Sequence, residues 1–188
     1  MVKEPRPGQV KTRLARDIGA VEAAWWYRHH CAKLLRAAPR YGWQTELAVT
    51  ADVAGRASRV WPPHFPRRAQ GRGDLGARMA RLLCSGAPGP VVVIGSDIPG
   101  ITRSLIADAF HALGSHDAVI GPAVDGGYWL IGLARRRAPP PGLFFGVRWS
   151  THHALEDTCA TLGDNRLATI QSLRDVDSID DLRAIARL

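Results

Sequence analysis

Three cations, Lys3, Lys11 and Arg13, stand within one short stretch, 3-KEPRPGQVKTRL-14, together with the Thr12 hydroxyl. Pro5 and Pro7 keep the stretch out of a helix, and Gly8 lets the backbone adopt positive φ or come close to a ligand. Backbone N–H groups combined with concentrated positive charge suit a pyrophosphate, which makes Pro7, Gly8, Lys11, Thr12 and Arg13 candidate phosphate-binding residues. The spacing is not that of a Walker A loop. That pattern needs Gly directly before Lys-Thr and another five residues earlier, where Val10 and Pro5 stand. Taken alone, a solvated basic turn would have the same composition.

The run 91-VVVIG-95 ends in Ser96-Asp97, followed by Pro99 and Gly100. A lone carboxylate is costly to desolvate, so burial does not explain Asp97 at the end of an apolar strand. Mg²⁺ takes one or two carboxylates plus phosphate oxygens and water, which makes Asp97 a candidate metal ligand. Capping, or turn formation before Pro99, is the structural alternative. In 175-DVDSIDDL-182, Asp177 is placed to cap a helix with Asp180 and Asp181 in its first turn. It is equally placed to bring a second carboxylate to the metal.

In 70-QGRGDLGARM-79, Gly71, Gly73 and Gly76 surround Asp74, a suitable helix N-cap. So many glycines exceed what a cap requires and suggest a surface laid flat against a base or ribose. In 121-GPAVDGGYWLIGL-133, Asp125-Gly126-Gly127 reads as the tight turn of a hairpin. Glycines beside Tyr128 and Trp129 also suggest an acceptor pocket, with Gly126, Gly127 and Tyr128 lining it. Asp125 would there orient the acceptor or act as base, with turn formation as the alternative. No covalent nucleophile stands out. Ser96 and Cys84 lack a histidine partner, and the pairs 29-HH-30 and 152-HH-153 read as surface or helix-packing residues.

The elements that must position these residues alternate in type. Residues 20–38, 74–85, 102–113, 151–162 and 178–188 have helical composition, and 44–50, 90–95, 117–123, 128–133 and 166–171 read as strands. Apolar runs alternating with amphipathic helices predict an α/β fold, a three-layer sandwich with a mostly parallel sheet covered on both faces. In such sheets ligands bind beyond the carboxyl ends of the strands, which is where Asp97 falls. The chain opens on the Pro/Gly loop with at most Met1-Val2 before it, so a first strand is expected to be missing. Residues 1–188 read as a single domain.

The 188 residues are 46% hydrophobic and 22% charged, the balance of an ordinary globular domain. No apolar run approaches the roughly 20 residues of a membrane span, and the start has no signal-peptide core. Cys31, Cys84 and Cys159 are odd in number, far apart and outside any C-x-x-C, which argues against disulfides or zinc and for a cytoplasmic location. The net charge of +8 is scattered, and 135-RRR-137 is the longest arginine run. A nucleic-acid footprint concentrates on one face, so phosphorylated small molecules account for the charge better.

Together and in this order, 3-KEPRPGQVKTRL-14, 70-QGRGDLGARM-79, 95-GSDIPG-100, 121-GPAVDGGYWLIGL-133, 144-FFGVRWST-151 and 175-DVDSIDDL-182 resemble one family. It is the glycosyltransferase-like group of radical-SAM/selenodomain-associated transferases, within the nucleotide-diphospho-sugar transferase superfamily. The resemblance runs from Lys3 to about Leu182 and is more distantly shared with the guanylyltransferases that activate phospholactate. It implies a glycosyltransferase-A fold that binds a nucleoside triphosphate or nucleotide sugar with Mg²⁺ or Mn²⁺. It also implies that Gly8, Lys11 and Arg13 grip phosphates, that the turn at Gly73 borders the nucleoside, and that Asp97 binds the metal. Asp177 is the implied second ligand. The chain departs from its relatives at Ser178-Ile179, where Thr-Pro is common, and at 98-IPG-100, which lacks an acidic residue after the proline.

The function expected from these readings is metal-dependent transfer of a glycosyl or nucleotidyl group from a nucleotide donor to a small-molecule acceptor. Lys11 and Arg13 would neutralise the leaving phosphate. A non-catalytic nucleotide-binding module with the same fold is the alternative. Neither a nucleic-acid partner nor a membrane span is expected.

Overall fold

Short apolar runs separated by amphipathic helices do fold into α/β structure with sheets flanked by helices. The computed structural model describes residues 1–38, 42–50 and 52–186. In chain order the first elements are α1 (Leu14–Ile18), α2 (Ala20–Ala37), β1 (Leu47–Val49), α3 (Asp52–Ala57) and β2 (Arg67–Ala69). There follow α4 (Leu75–Cys84), β3 (Val91–Ile94), α5 (Arg103–Ala112), β4 (Ala118–Pro122) and β5 (Tyr128–Leu133). The last are α6 (Ala154–Thr161), β6 (Leu167–Thr169) and α7 (Ile179–Ala186). Residues 187–188 of the expected closing helix lie outside the described residues. Among the described residues, no helix is long and apolar enough to cross a membrane.

Contacts divide the chain into two compact units, one of residues 1–69, 96–103 and 174–188, the other of residues 70–95 and 104–173. In the first unit Val2 and β1 run parallel, tied by Val2 N–H to Ala48 C=O and Thr50 N–H to Val2 C=O. β1 then pairs in parallel with β2, from Leu47 opposite Arg67 to Val49 opposite Ala69. The helix α2 presents Ala24, Tyr27, Cys31 and Leu35 on one face, all buried in one cluster with Val2, Val10, Leu47, Val49, Trp61 and Phe65. Gly19, at φ +93°, separates α1 from α2, a conformation that only glycine adopts freely. Leu14 and Ala23 bury themselves with Val176, beside Leu182 and Ile185 of α7.

The sequence pattern does not reveal β2. Its residues Arg67 and Arg68 carry no apolar alternation, and tertiary pairing with β1 makes the strand. The Arg67 guanidinium is consumed locally, donating to the carbonyls of Arg56, Ser58 and Trp61.

The second unit holds a four-stranded sheet of order β3-β5-β4-β6. β4 and β6 are parallel, while β5 runs antiparallel to both β3 and β4. Three strands therefore share a direction, and β5 enters between them by the hairpin expected at Asp125-Gly126-Gly127. Val119, Ile120, Trp129, Leu130 and Ile131 are almost fully buried on this sheet, with Leu83, Ile106, Leu113 and Leu162 from its helices and loops. The apolar run 91-VVVIG-95 forms β3 as expected. All four residues of β3 are half-buried, because β3 stands at the edge of the strand order.

Candidate functional site

The 3–13 loop turns sharply through Gly8, at φ +73°, and Lys11, at φ +46°. Positive φ at a lysine is uncommon and has to be held by its surroundings. Val10 on one side and Leu14 on the other are buried, and Ala15 N–H donates to the Lys11 carbonyl at 2.8 Å. With its backbone anchored at both ends, Lys11 runs inward, and only 4% of its side chain is exposed.

Its ammonium lies 2.9 Å from Asp97 Oδ2 and 3.0 Å from Asp177 Oδ1. Arg13 Nη1 donates to the other oxygen of Asp177 at 2.8 Å. Burial pulls the Lys11 ammonium down, but Asp97 and Asp177 more than offset it and hold its pKa above the ordinary value. The cation therefore stays charged at the bottom of the cluster, under two carboxylates that are 46% and 32% exposed. Both expected metal ligands and both expected catalytic cations of this unit thus meet in one place.

The geometry shows what each carboxylate pairs with. Asp177 does not cap α7. Ser178 Oγ accepts from Asp181 N–H, while Asp181 Oδ2 accepts from the N–H groups of Asp177 and Ser178 and from Ser178 Oγ–H. This reciprocal capping box uses the very serine that departs from the relatives' Thr-Pro, and it leaves the Asp177 carboxylate for Lys11 and Arg13. Asp97 is likewise turned to Lys11.

Tyr27 and Ser96 support the site from beneath, and sequence reasoning missed both in this role. The Tyr27 hydroxyl lies 2.7 Å from Ser96 Oγ and accepts from Lys3 N–H at 3.2 Å, so one buried phenol joins the start of the basic loop to the residue before Asp97. Cys31, one turn along α2, donates its thiol to the Ser96 carbonyl. Burial pushes the Tyr27 phenol up and the Cys31 thiol to about 11, so both stay protonated as supports. The available signal was the spacing of Tyr27 and Cys31 on the apolar face of α2.

His30, expected to be a surface or helix-packing residue, stacks on Trp26 and has a buried Nε2 without a hydrogen-bond partner among the described residues. Burial lowers its pKa below 6.5, against the opposing field of Asp97. The folded chain therefore refuses a proton that the unfolded chain accepts. Stability is intact above the unfolded value of 6.5 and falls as pH drops below it. Urea midpoints measured at about pH 7 and about pH 5 should show this loss, and His30→Gln should reduce it.

Pro7 and Thr12 lie in the first unit, in the loop that carries Lys11; the candidates of the second unit have internal roles. Asp74 caps α4 by accepting from Ala77 N–H at 2.8 Å. A side chain at Gly71 would strike the Arg81 guanidinium, which donates to the carbonyls of Gln70 and Arg72, and one at Gly73 would strike Ala77. Asp125 Oδ1 accepts from Gly127 N–H, the turn-forming alternative, and a Cβ at Gly126 would meet the His152 backbone. The Tyr128 hydroxyl contacts Met79 Sδ and Thr158 Oγ1, and burial pushes its pKa up. Trp129, expected beside an acceptor pocket, is instead core: it is fully buried and donates its indole N–H to the Gln171 carbonyl. Its ring fills the space that Gly121 leaves open. Cys31, Cys84 and Cys159 are free thiols.

Residues 33–151 match the DUF2064 family, described as uncharacterized proteins conserved in bacteria. The chain belongs to that family. The matched range contains Asp97, whereas Lys11, Arg13 and Asp177 lie outside it. Similarity over nearly the whole DUF2064 chain is found with a crystal structure from Desulfovibrio desulfuricans G20, provisionally assigned as a nucleotide-diphospho-sugar transferase. The two are 33% identical with a TM-score of 0.86, over 99% of this chain and 84% of the other. This places the chain among the nucleotide-diphospho-sugar transferase folds. The Rv0371c homolog of Mycobacterium sp. strain JC1 shares the fold alone, at 16% identity and a TM-score of 0.51 over 86% of this chain and 81% of that one. Thymidylate kinase of Mycobacterium tuberculosis is 33% identical over 104 residues, 50% of this chain and 48% of the kinase. The chain spans about half the length of the curated relatives it matches.

Proposed function

We propose that this chain is a metal-dependent transferase. Its donor is a nucleotide sugar or a nucleoside triphosphate, and its acceptor is a small molecule. The reading rests on the Lys11 ammonium held between Asp97 and Asp177, with Arg13 on the outer oxygen of Asp177. The names of the Desulfovibrio and mycobacterial relatives both involve a nucleotide. A kinase reading is disfavoured by the missing Walker A spacing in 3-KEPRPGQVKTRL-14.

The cluster fits a hard divalent cation. Two carboxylates converge on one positive charge, and oxygen donors of this kind suit Mg²⁺ or Mn²⁺. Among the described residues no three His, Cys, Asp or Glu gather into a metal-holding group, so phosphate oxygens and water would complete the coordination. Asp97 and Asp177 would hold the metal, which would supply Lewis-acid neutralisation of the leaving phosphate.

The chain's own residues do the rest. Arg13, 59% exposed, is available to an incoming phosphate, and Lys11 brings a buried cation that needs no solvent reorganisation. Two acids and two cations balance each other, so adding a divalent cation together with an anionic phosphate preserves neutrality. Metal and nucleotide should therefore bind cooperatively. Calorimetry over a nucleotide panel, with Mg²⁺, Mn²⁺ or EDTA, tests this, and product analysis separates pyrophosphate release from nucleotide release. Binding without turnover on any acceptor would make the chain a nucleotide-binding module.

Lys11→Ala should weaken nucleotide affinity by about tenfold or more and also lower the melting temperature, because it removes the buried cation that holds Asp97 and Asp177 together. Unchanged affinity would remove the loop from the site.

A further inference from the structure

Arg28, Ala32, Leu35 and Arg36 share one face of α2, and Val60, Trp61, Pro62, His64 and Phe65 face them across a groove of about 450 Å³. That volume is within the range of small-molecule sites. None of the lining residues is acidic, and among the described residues neither arginine has a hydrogen-bond or ion-pair partner. Ala32 between them keeps the floor open. The opposite wall is fixed in place, since Arg67 ties down the carbonyls of Arg56, Ser58 and Trp61.

Trp61 in that wall is only 3% exposed, and its indole N–H is buried without an acceptor among the described residues. Its ring nevertheless borders the groove, so its indole signal reports on what enters there.

We propose that this groove is a second binding site, for a small molecule that joins a carboxylate or phosphate monoester to a flat apolar body. The anion pairs with Arg28 and Arg36, as guanidinium forks favour planar oxyanions. The flat body lies in the groove beside Trp61, Pro62 and Phe65. The site shares no residue with the Lys11 cluster and has no carboxylate for a metal, so its occupancy is independent of the transferase reading.

Phenyl phosphate is a suitable probe, added to the full chain carrying ¹⁵N-labelled tryptophan, in EDTA. Six tryptophans give six indole signals, and loss of one in Trp61→Phe identifies that of Trp61. If this variant fails to fold, through-bond assignment of the wild type serves instead. The Trp61 signal should shift saturably, and Arg28→Gln/Arg36→Gln should weaken the titration by about tenfold or more with an unchanged melting temperature. Both arginines are exposed, so the double variant is expected to fold. The proposal is overturned if the Trp61 signal does not move, or if the double variant titrates like wild type. It is overturned equally if inorganic phosphate binds as tightly as phenyl phosphate, which would show simple attraction of anions.

Discussion

Asp97→Asn should remove metal-dependent nucleotide binding and lower turnover by about a hundredfold or more, the scale expected when charge stabilisation of a leaving group is lost. The substitution keeps the size and turn-forming capacity of the residue and deletes only its charge. Its fold should persist, because Ser96 remains tied to Tyr27, Ile98 and Ile101 remain buried, and Lys11 keeps Asp177 as a partner. The broken ion pair is half-exposed on the carboxylate side and the Lys11 ammonium stays paired, so the loss of stability is modest. Calorimetry in Mg²⁺ and in EDTA, alongside thermal melting, separates the two effects. Wild-type binding and turnover in the variant would reduce Asp97 to a loop residue and refute the proposed centre.

Trp129→Ala is the opposite case, with a large loss of stability expected. A fully buried indole is removed from β5, its hydrogen bond to the Gln171 carbonyl disappears, and the space beside Gly121 empties. Large-to-small changes of this kind cost about 3–5 kcal/mol, a substantial fraction of the stability of a domain. Urea denaturation should show the midpoint falling sharply with little change in slope. A Trp129 that lined an acceptor pocket would instead change acceptor KM and leave the midpoint nearly where it is.

These two residues show what could be read early. Asp97 was legible because a charge at the end of 91-VVVIG-95 contradicts the burial pattern around it. Trp129 was misread because glycines and aromatics together look like a ligand surface, whereas here Gly121 makes room for a core ring. Glycine records only that something comes close, and the tertiary fold decides whether that is a ligand or a side chain.

Every helix and strand expected from periodicity formed near its expected position, since helix and strand preferences act over a few neighbouring residues. The elements that escaped, α1, α3 and β2, are short or polar and exist through their tertiary contacts, as β2 does through β1. The sequence by itself thus determined the α/β class, the strand-end position of Asp97 and the basic character of the 3–13 loop. Only the tertiary structure decided which charges meet. Lys11 and Asp177 are 166 residues apart, and no local rule links them. Their meeting depends on the buried anchors Val10 and Leu14, on the Tyr27–Ser96 bond, and on the Ser178–Asp181 capping box that leaves the Asp177 carboxylate to the cluster. An ion pair forms only where chain closure brings its partners within a few ångströms, and closure is a property of the whole packed core.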